Sequence, residues 1–235
     1  MMQMPLYLKM KRFRTHTICS ANYAMMTPDS ISYAICVHNE HEELKRLLTQ
    51  LISGITEDDE IVIQGDQGKV TEEVVSVLHK FVKNPQVKYV EFPLRKDFAA
   101  FKNNLFANCS KDWIFQVDAD EMVGTELLVN LKSILAENSD IEMMRVSRVN
   151  IVEGLTREWI DRWGWQVNNQ GWVNWPDRQM RIVRNNGSIR WKNKVHEILS
   201  GYQSWSDLPT DPDFSLIHVK SMDRQKKQNE FYSTI

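Results

Sequence analysis

The segment WIFQVDADEMVG, residues 113–124, sets an apolar run of Trp113, Ile114, Phe115 and Val117 directly before three acids, Asp118, Asp120 and Glu121. Carboxylates crowded at the end of a buried strand repel one another and lose hydration, so a cation or ligand must neutralise them. Acids on a strand tip suit Mg2+ or Mn2+, hard cations that take oxygen ligands and share their remaining positions with phosphate and water. A cationic side chain is the second solution. The plainest is one Asp capping a helix with the others solvated.

Those acids need a strand whose carboxyl end opens on a cleft, and the preceding sequence supplies the frame. The apolar run ISYAICV from Ile31 reads as a strand, and Leu44, Leu47, Leu48, Leu51 and Ile52 recur at i, i+3, i+4, i+7 and i+8 as one helical face. Asn39 with Glu42 resembles a capping pair at that helix's start. EIVIQ, VKYVEF and WIFQVD follow as strands, with TEEVVSVLHKFV, DFAAFKNNLFANC and TELLVNLKSILAE as helices between and after them. Such alternation specifies a mostly parallel, doubly wound α/β sheet with helices on both faces and ligands at the carboxyl ends of its strands. Beyond about residue 140 the rhythm breaks into the strand-like pieces IEMMRVSRV, QMRIVRN and FSLIHV, read as the second half of the same domain.

Composition bounds the function. The chain has 235 residues, 42% hydrophobic, and its 29 basic against 31 acidic side chains give a formal charge of −2. No global field draws such a protein to nucleic acid or an anionic membrane, so an anionic ligand must be held locally. Cys19, Cys36 and Cys109 are scattered without a Cys-x-x-Cys pair, which argues against a zinc ribbon or disulfide framework and fits a reducing cytoplasm. No apolar run approaches the roughly 18 to 20 residues that span a bilayer. Residues 1–25 lack a clean period and place their basic cluster after the only apolar patch, the wrong order for a signal peptide. They read as a disordered extension, or as upstream sequence not belonging to the protein.

Several motifs, in order, resemble the family 2 glycosyltransferases of the GT-A fold, the nucleotide-diphospho-sugar transferases, and in particular a small bacterial and phage-like subgroup. ISYAICVHNEHEELKRLL is similar to the family's opening strand and Asn-Glu turn, and DDEIVIQGDQGKVTEEV to its second strand and turn. EFPLRKDFAAFKNNLF resembles the Asp-Phe-x-x-x-Arg-Asn block, and DWIFQVDADE the Asp-x-Asp strand. MRIVRNNGSIRWKNKVHEIL and SLIHV match an Arg-rich strand, a Val-His-Glu segment and a late His. The resemblance covers residues 31–220. It implies one domain over residues 26–235, with a nucleotide-sugar-binding half at 26–125 and an acceptor-side half at 126–235.

The resemblance also implies roles. Asp120 would ligate Mn2+ or Mg2+, with His218 as the late ligand from the other side; Asp118 would lie nearer the ribose or reach the metal through water. Asn39 and Glu40 of the opening turn, with Lys102 and Asn103 where the family has Arg-Asn, would bind the donor. Lys102 serves phosphate as a point charge and not bidentately. The family's Asp at the end of the second strand, which reads base and ribose, is replaced by Gln64, with Asp66 as a substitute one turn later. Inverting transfer needs a base for the acceptor proton. Glu197 is the candidate, with Asp177, Glu121 and His196 as alternatives, and a structural pairing of Glu197 with Lys194 or Arg190 as the bland reading.

The expected partners are a nucleotide-sugar donor, a UDP-sugar first, and an unidentified glycan, lipid-linked sugar or protein acceptor. Trp159, Trp163, Trp165, Trp172 and Trp175 crowd one short segment, either as platforms for sugar rings or as the small core of a long loop. Two enzyme classes fit less well: a phosphatase of the Asp-x-Asp type carries its pair on the first strand, and a nucleotidyltransferase wants a glycine-rich loop where VHNEHEE has none. A GT-A-like protein that binds nucleotide or glycan without turnover is the alternative function.

Overall fold

The computed structural model describes residues 29–232; the expected extension at residues 1–25 and Cys19 lie outside the described residues. From β1 (Ile31–Val37) the chain runs through α1 (His41–Gly54), β2 (Glu60–Asp66), α2 (Glu72–Phe81), β3 (Val87–Phe92), α3 (Phe98–Ala107) and β4 (Trp113–Asp118). Then come β5 (Glu121–Val123), α4 (Thr125–Glu137), β6 (Met143–Val146), β7 (Arg148–Glu153) and α5 (Arg157–Trp163). β8 (Gln179–Arg184), β9 (Arg190–Lys192), β10 (Ile198–Ser200), β11 (Trp205–Asp207), β12 (Leu216–Ser221) and α6 (Met222–Tyr232) complete it.

Seven strands form one sheet in the order β11-β6-β8-β4-β1-β2-β3. β4, β1, β2 and β3 are mutually parallel, whereas β8 runs antiparallel to both β4 and β6. The chain moves outward from β1 to β3 and then returns to place β4 on the other side of β1. The crevice beyond β1 and β4 is therefore the switch point at which open α/β sheets collect ligands. Crossovers of one hand must put the helices of outward and returning segments on opposite faces. The buried side chains divide in that way: Ile31, Tyr33, Ile35 and Val37 pack with α1, α2 and α4, while Ala34 packs with α3, Trp191 of β9 and Leu199 of β10.

The leucine stripe of α1 is wholly buried, with Leu44, Leu47, Leu48 and Leu51 each at 0% exposure. Four such side chains supply about 1.5–3 kcal/mol apiece. The expected Asn39–Glu42 capping pair does not form. Glu40 is the N-cap residue without a side-chain cap bond, and its carboxylate turns back to accept from the amides of His38 at 2.8 Å and Asn39 at 3.0 Å. The acid thereby braces the β1–α1 turn rather than the helix.

IEMMRVSRV, expected as one strand, divides. β6 joins the main sheet, and β7 enters a small sheet of order β5-β12-β7 in which β12 is parallel to β7 and antiparallel to β5. Ser147, buried between them, accepts from the Leu216 amide at 2.9 Å. This buried link joins the small sheet to the end of β6, while β5 enters it directly from the turn after β4, so that Glu121 already belongs to it. The tryptophan segment folds beside it: Trp159, Trp163 and Trp165 pack on Val152, Val173 and Met222 with ring centroids 4.6–4.8 Å apart, the small-core reading. Trp172 and Trp175 form a separate edge-to-face pair at 5.0 Å.

Candidate functional site

Strand register fixes the first row of the site. Cys36 lies opposite Gln64 on β2 and opposite Asp118 on β4, so the three side chains share the α3 face near the strands' carboxyl ends. Gln64 is fully buried; its Nε2 donates to the Phe101 carbonyl of α3 at 2.7 Å, and its Oε1 has no hydrogen-bond partner among the described residues. Asp66 lies two residues further along the same strand, not one turn beyond it as expected. It accepts from the Leu94 amide at 2.9 Å and pairs with Lys69 at 3.2 Å, which fixes the loop after β3. That loop borders a hollow of about 290 Å3 lined by Phe92, Pro93, Leu94, Arg95 and Lys194.

The cations that neutralise Asp118 and Glu121 are arginines. Arg181 of β8, 3% exposed, donates through Nη2 to Asp118 Oδ2 at 2.7 Å and to Glu121 Oε1 at 2.8 Å, and through Nη1 to Gln116 Oε1. Glu121 also accepts from Arg148 Nη1 at 3.1 Å and from the Asp118 amide at 2.9 Å, while Gln116 Nε2 donates to Asp118 Oδ1 at 2.7 Å. Burial by itself raises the Asp118 pKa, but Arg181, Lys102 and Arg148 outweigh it and hold the carboxyl well below the usual carboxylate range. Asp118 is therefore a preset anion with both oxygens already bonded. Glu121, 1% exposed and bound to two guanidiniums, is unsuited to abstract an acceptor proton.

Asp120 turns the other way, toward the small sheet. Its Oδ2 lies 3.2 Å from His218 Nε2 and 3.9 Å from Arg224 Nη2 of α6. Arg224 also binds Glu40 at 2.9 Å and Glu43 at 2.7 Å, tying α6 to the β1–α1 turn. Burial raises the Asp120 pKa, but the His218 hydrogen bond and charge, with Arg224, bring it below the ordinary value. Lys220 stands two residues past His218 on β12; burial lowers its amine to about 8 against the pull of Asp120.

One carboxylate oxygen and one imidazole nitrogen 3.2 Å apart match two adjacent ligands of a divalent cation. Among the described residues there is no group of three or more His, Cys, Asp or Glu that could hold a metal by itself. The donor set thus fits a cation that takes its remaining oxygens from phosphate and water. It does not make an all-protein cage.

On the α3 face, Lys102 and Glu197 pair at 2.5 Å, with side chains 11% and 17% exposed. The lysine also lies 4.5 Å over the Trp191 ring. Neither Lys194 nor Arg190, the partners weighed from sequence, holds Glu197; Lys102 does. Asn103 donates to the Trp191 carbonyl and accepts from the Trp191 amide, both at 2.9 Å, so it clamps β9 to α3. Burial pushes the Cys36 thiol up to about 12, and Lys102, Asp118, Glu197 and Arg181 all act on it electrostatically. Asn39 stays exposed on the rim.

Asp177 lies apart from Glu197. It accepts from Arg148 Nε at 2.9 Å, from Asn150 Nδ2 at 2.7 Å and from Gln179 Nε2 at 2.8 Å. Burial raises its pKa, yet Arg148 and these hydrogen bonds pull it below the usual range, which makes it a weak base. Asp177 at φ 31° and His196 at φ 51° both occupy left-handed backbone in loops flanking the site, where strain tends to concentrate.

Arg148, Asn150 and Arg224 were not singled out in the sequence, and Arg181 entered only as part of an Arg-rich strand. Only Arg181 and Arg148 left a signal there, as basic residues inside otherwise apolar strands, a pattern that demands a buried anion.

The profile described as "Glycosyl transferase family 2" matches residues 32–191. The SPbeta prophage-derived glycosyltransferase SunS of Bacillus subtilis (strain 168) is 22% identical over 179 residues, 75% of this chain and 36% of the relative; SunS of Bacillus phage SPbeta gives the same figures. The chain thus spans about a third of these curated relatives. Among solved structures, S. aureus TarS 1–349 in complex with UDP superposes with TM-score 0.52 at 12% identity, covering 81% of this chain and 60% of TarS. The complex of TarS 1–349 with UDP-GlcNAc gives 0.53 at 13%, covering 81% and 58%. These likenesses show the GT-A fold.

Proposed function

Because this chain belongs to glycosyl transferase family 2, matched across residues 32–191, we propose that it transfers a sugar from a nucleotide-diphosphate donor, a UDP-sugar first, to a glycan, lipid-linked sugar or protein acceptor. The observation that carries this reading is the divergence of the strand-tip acids at the β1/β4 switch point. Asp118 is locked by Arg181, and Asp120 faces His218 at 3.2 Å. One acid is thereby preset for ribose hydroxyls and the other for a cation at the diphosphate. UDP leads because the TarS complexes contain UDP and UDP-GlcNAc.

In this reading Asp120 and His218 hold Mn2+ or Mg2+, which when bound supplies Lewis-acid stabilisation of the leaving diphosphate. Asp118 orients the ribose. Glu197, held by Lys102, takes the acceptor proton as the acceptor attacks the anomeric carbon with inversion. Asp66 shapes the loop beside the nucleoside, and Asn39, Glu40 and Asn103 act through the frame, the first at the rim and the other two by bracing the β1–α1 turn and the α3–β9 clamp. A single domain over residues 26–235 and a cytoplasmic setting belong to the same proposal; no helix among the described residues is long and apolar enough to cross a membrane.

A thermal-shift panel of UDP-, GDP-, CDP- and dTDP-sugars with and without Mn2+ tests the reading. A UDP-sugar at 100 times its dissociation constant should add about 2.7 kcal/mol to stability, and the gain should shrink without Mn2+. No response to any nucleotide sugar would refute it. One observation favours a second reading, a binding protein without turnover: Gln64, in place of the family's acid, spends its amide on the Phe101 carbonyl. Stabilisation by UDP-sugar without hydrolysis or transfer would select that reading.

A further inference from the structure

Asn150 of β7 lies directly across the small sheet from His218 of β12. The orientation of its amide follows from its neighbours. Nδ2 is 2.7 Å from Asp177 Oδ2 and 3.5 Å from the Val173 carbonyl, and both of those oxygens can only accept. The opposite orientation would set the amide oxygen against a carboxylate whose pKa is already depressed. Oδ1 therefore faces His218 Nδ1 at 2.9 Å, and that contact is a hydrogen bond only when Nδ1 carries the proton. A neutral His218 then turns the lone pair of Nε2 toward Asp120 Oδ2, 3.2 Å away. Two acceptors so placed need a positive centre between them, either a proton on Nε2 or a cation in its place.

We propose that Asn150, anchored by Asp177, is a positioning residue that fixes His218 in the Nδ1–H tautomer, making Nε2 and Asp120 Oδ2 a two-atom seat for a divalent cation that arrives with the nucleotide diphosphate. The inference rests on the transferase reading above for the identity of the phosphate ligand. A ring nitrogen that ligates a metal is commonly oriented in this way by an acceptor on its other N–H. The second link is unusually firm: Asp177 is itself held by Arg148 and Gln179, so the amide of Asn150 has no free rotation. The role also explains why Asp177 is saturated with donors, which suits an anchor and not a base.

The test uses the whole chain with 15N-labelled histidine. In alkaline buffer, where a free imidazole is neutral, the His218 spectrum should show a protonated Nδ1 and an unprotonated Nε2, and Mg2+ with UDP should perturb Nε2 alone. In calorimetry with UDP present, Asn150→Leu should weaken Mn2+ binding about 10–100-fold, while UDP affinity without metal stays within about twofold of wild type. An Nε2–H tautomer in the wild-type spectrum overturns the proposal, and so does Mn2+ affinity unchanged in Asn150→Leu. Should that variant not fold, the wild-type spectrum decides alone. A wild-type protein that binds UDP but no cation overturns the seat and leaves the transferase reading standing. One that binds no nucleotide removes the transferase reading, while the tautomer and Mn2+ titration of the protein alone still decide the seat.

Discussion

Lys102 and Glu197, 95 residues apart in sequence, hold each other at 2.5 Å between α3 and the loop entering β10. The donor-side cation and the acceptor-side base proposed for the reaction are thus one ion pair. The pair is part-buried and its lysine lies over the Trp191 ring, which fixes the carboxylate in direction as well as in charge.

Glu197→Gln keeps the hydrogen bond to Lys102 but cannot take a proton. Transfer should fall by about 10²–10⁴ while donor affinity stays within a few-fold, the loss expected for a positioned general base. Near wild-type transfer in a kinetic assay would make Glu197 structural. Lys102→Met removes a charged hydrogen bond worth about 1.5–3 kcal/mol, so transfer should fall about 10–100-fold. The double variant should be no slower than Glu197→Gln alone, because the two act as a unit.

Asp120→Asn should abolish Mn2+-dependent donor binding with the fold retained. His218→Ala should weaken it less, since the stronger anionic ligand remains. Calorimetric titration of UDP with and without Mn2+ separates the two, and a wild-type metal response in Asp120→Asn would rule out the metal role.

Arg181→Met leaves Asp118 and Glu121 without their shared guanidinium in a buried setting. Breaking a buried pair by removing one partner costs about 3–5 kcal/mol. The denaturant midpoint should drop accordingly with an unchanged slope. A loss under about 1 kcal/mol, the level of an exposed ion pair, would show that water already screens the cluster.

Asp177→Asn separates anchor from base. The folded Asp177 has a pKa below its unfolded value, so its ionisation stabilises the fold above the unfolded pKa and that stabilisation is lost as pH falls through the folded one. The variant should therefore be less stable than wild type at pH 7, with the difference narrowing below about pH 4. If Asp177 anchors Asn150, Mn2+ affinity should fall with transfer. Transfer lost alone, with cation affinity intact, would return Asp177 to the role of base.

Much of the fold was legible because it rests on short-range rules. The period-two and period-3.6 patterns through residue 137 locate four strands and four helices, and alternation alone dictates a parallel sheet with its ligands at the strands' carboxyl ends. Asp118 was legible as an acid ending an apolar strand, whereas the parts given to Asp120 and His218 came from the family resemblance. Sequence could not say that the cation beside Asp118 is Arg181, because their contact spans 63 residues and depends on β8 running antiparallel to β4. Nor could it separate Asp118 from Asp120: two positions apart, they share a strand face only while the strand continues, and here it ends at Asp118. The turn sends Asp120 to the small sheet, where Asn150 and His218 meet only because β7 and β12 pair in one register. Local propensity therefore determined the elements and the end of the sheet that bears the candidate site. Long-range packing decided which acid meets arginine and which meets histidine, since a partner's charge matters only once desolvation brings the two groups together.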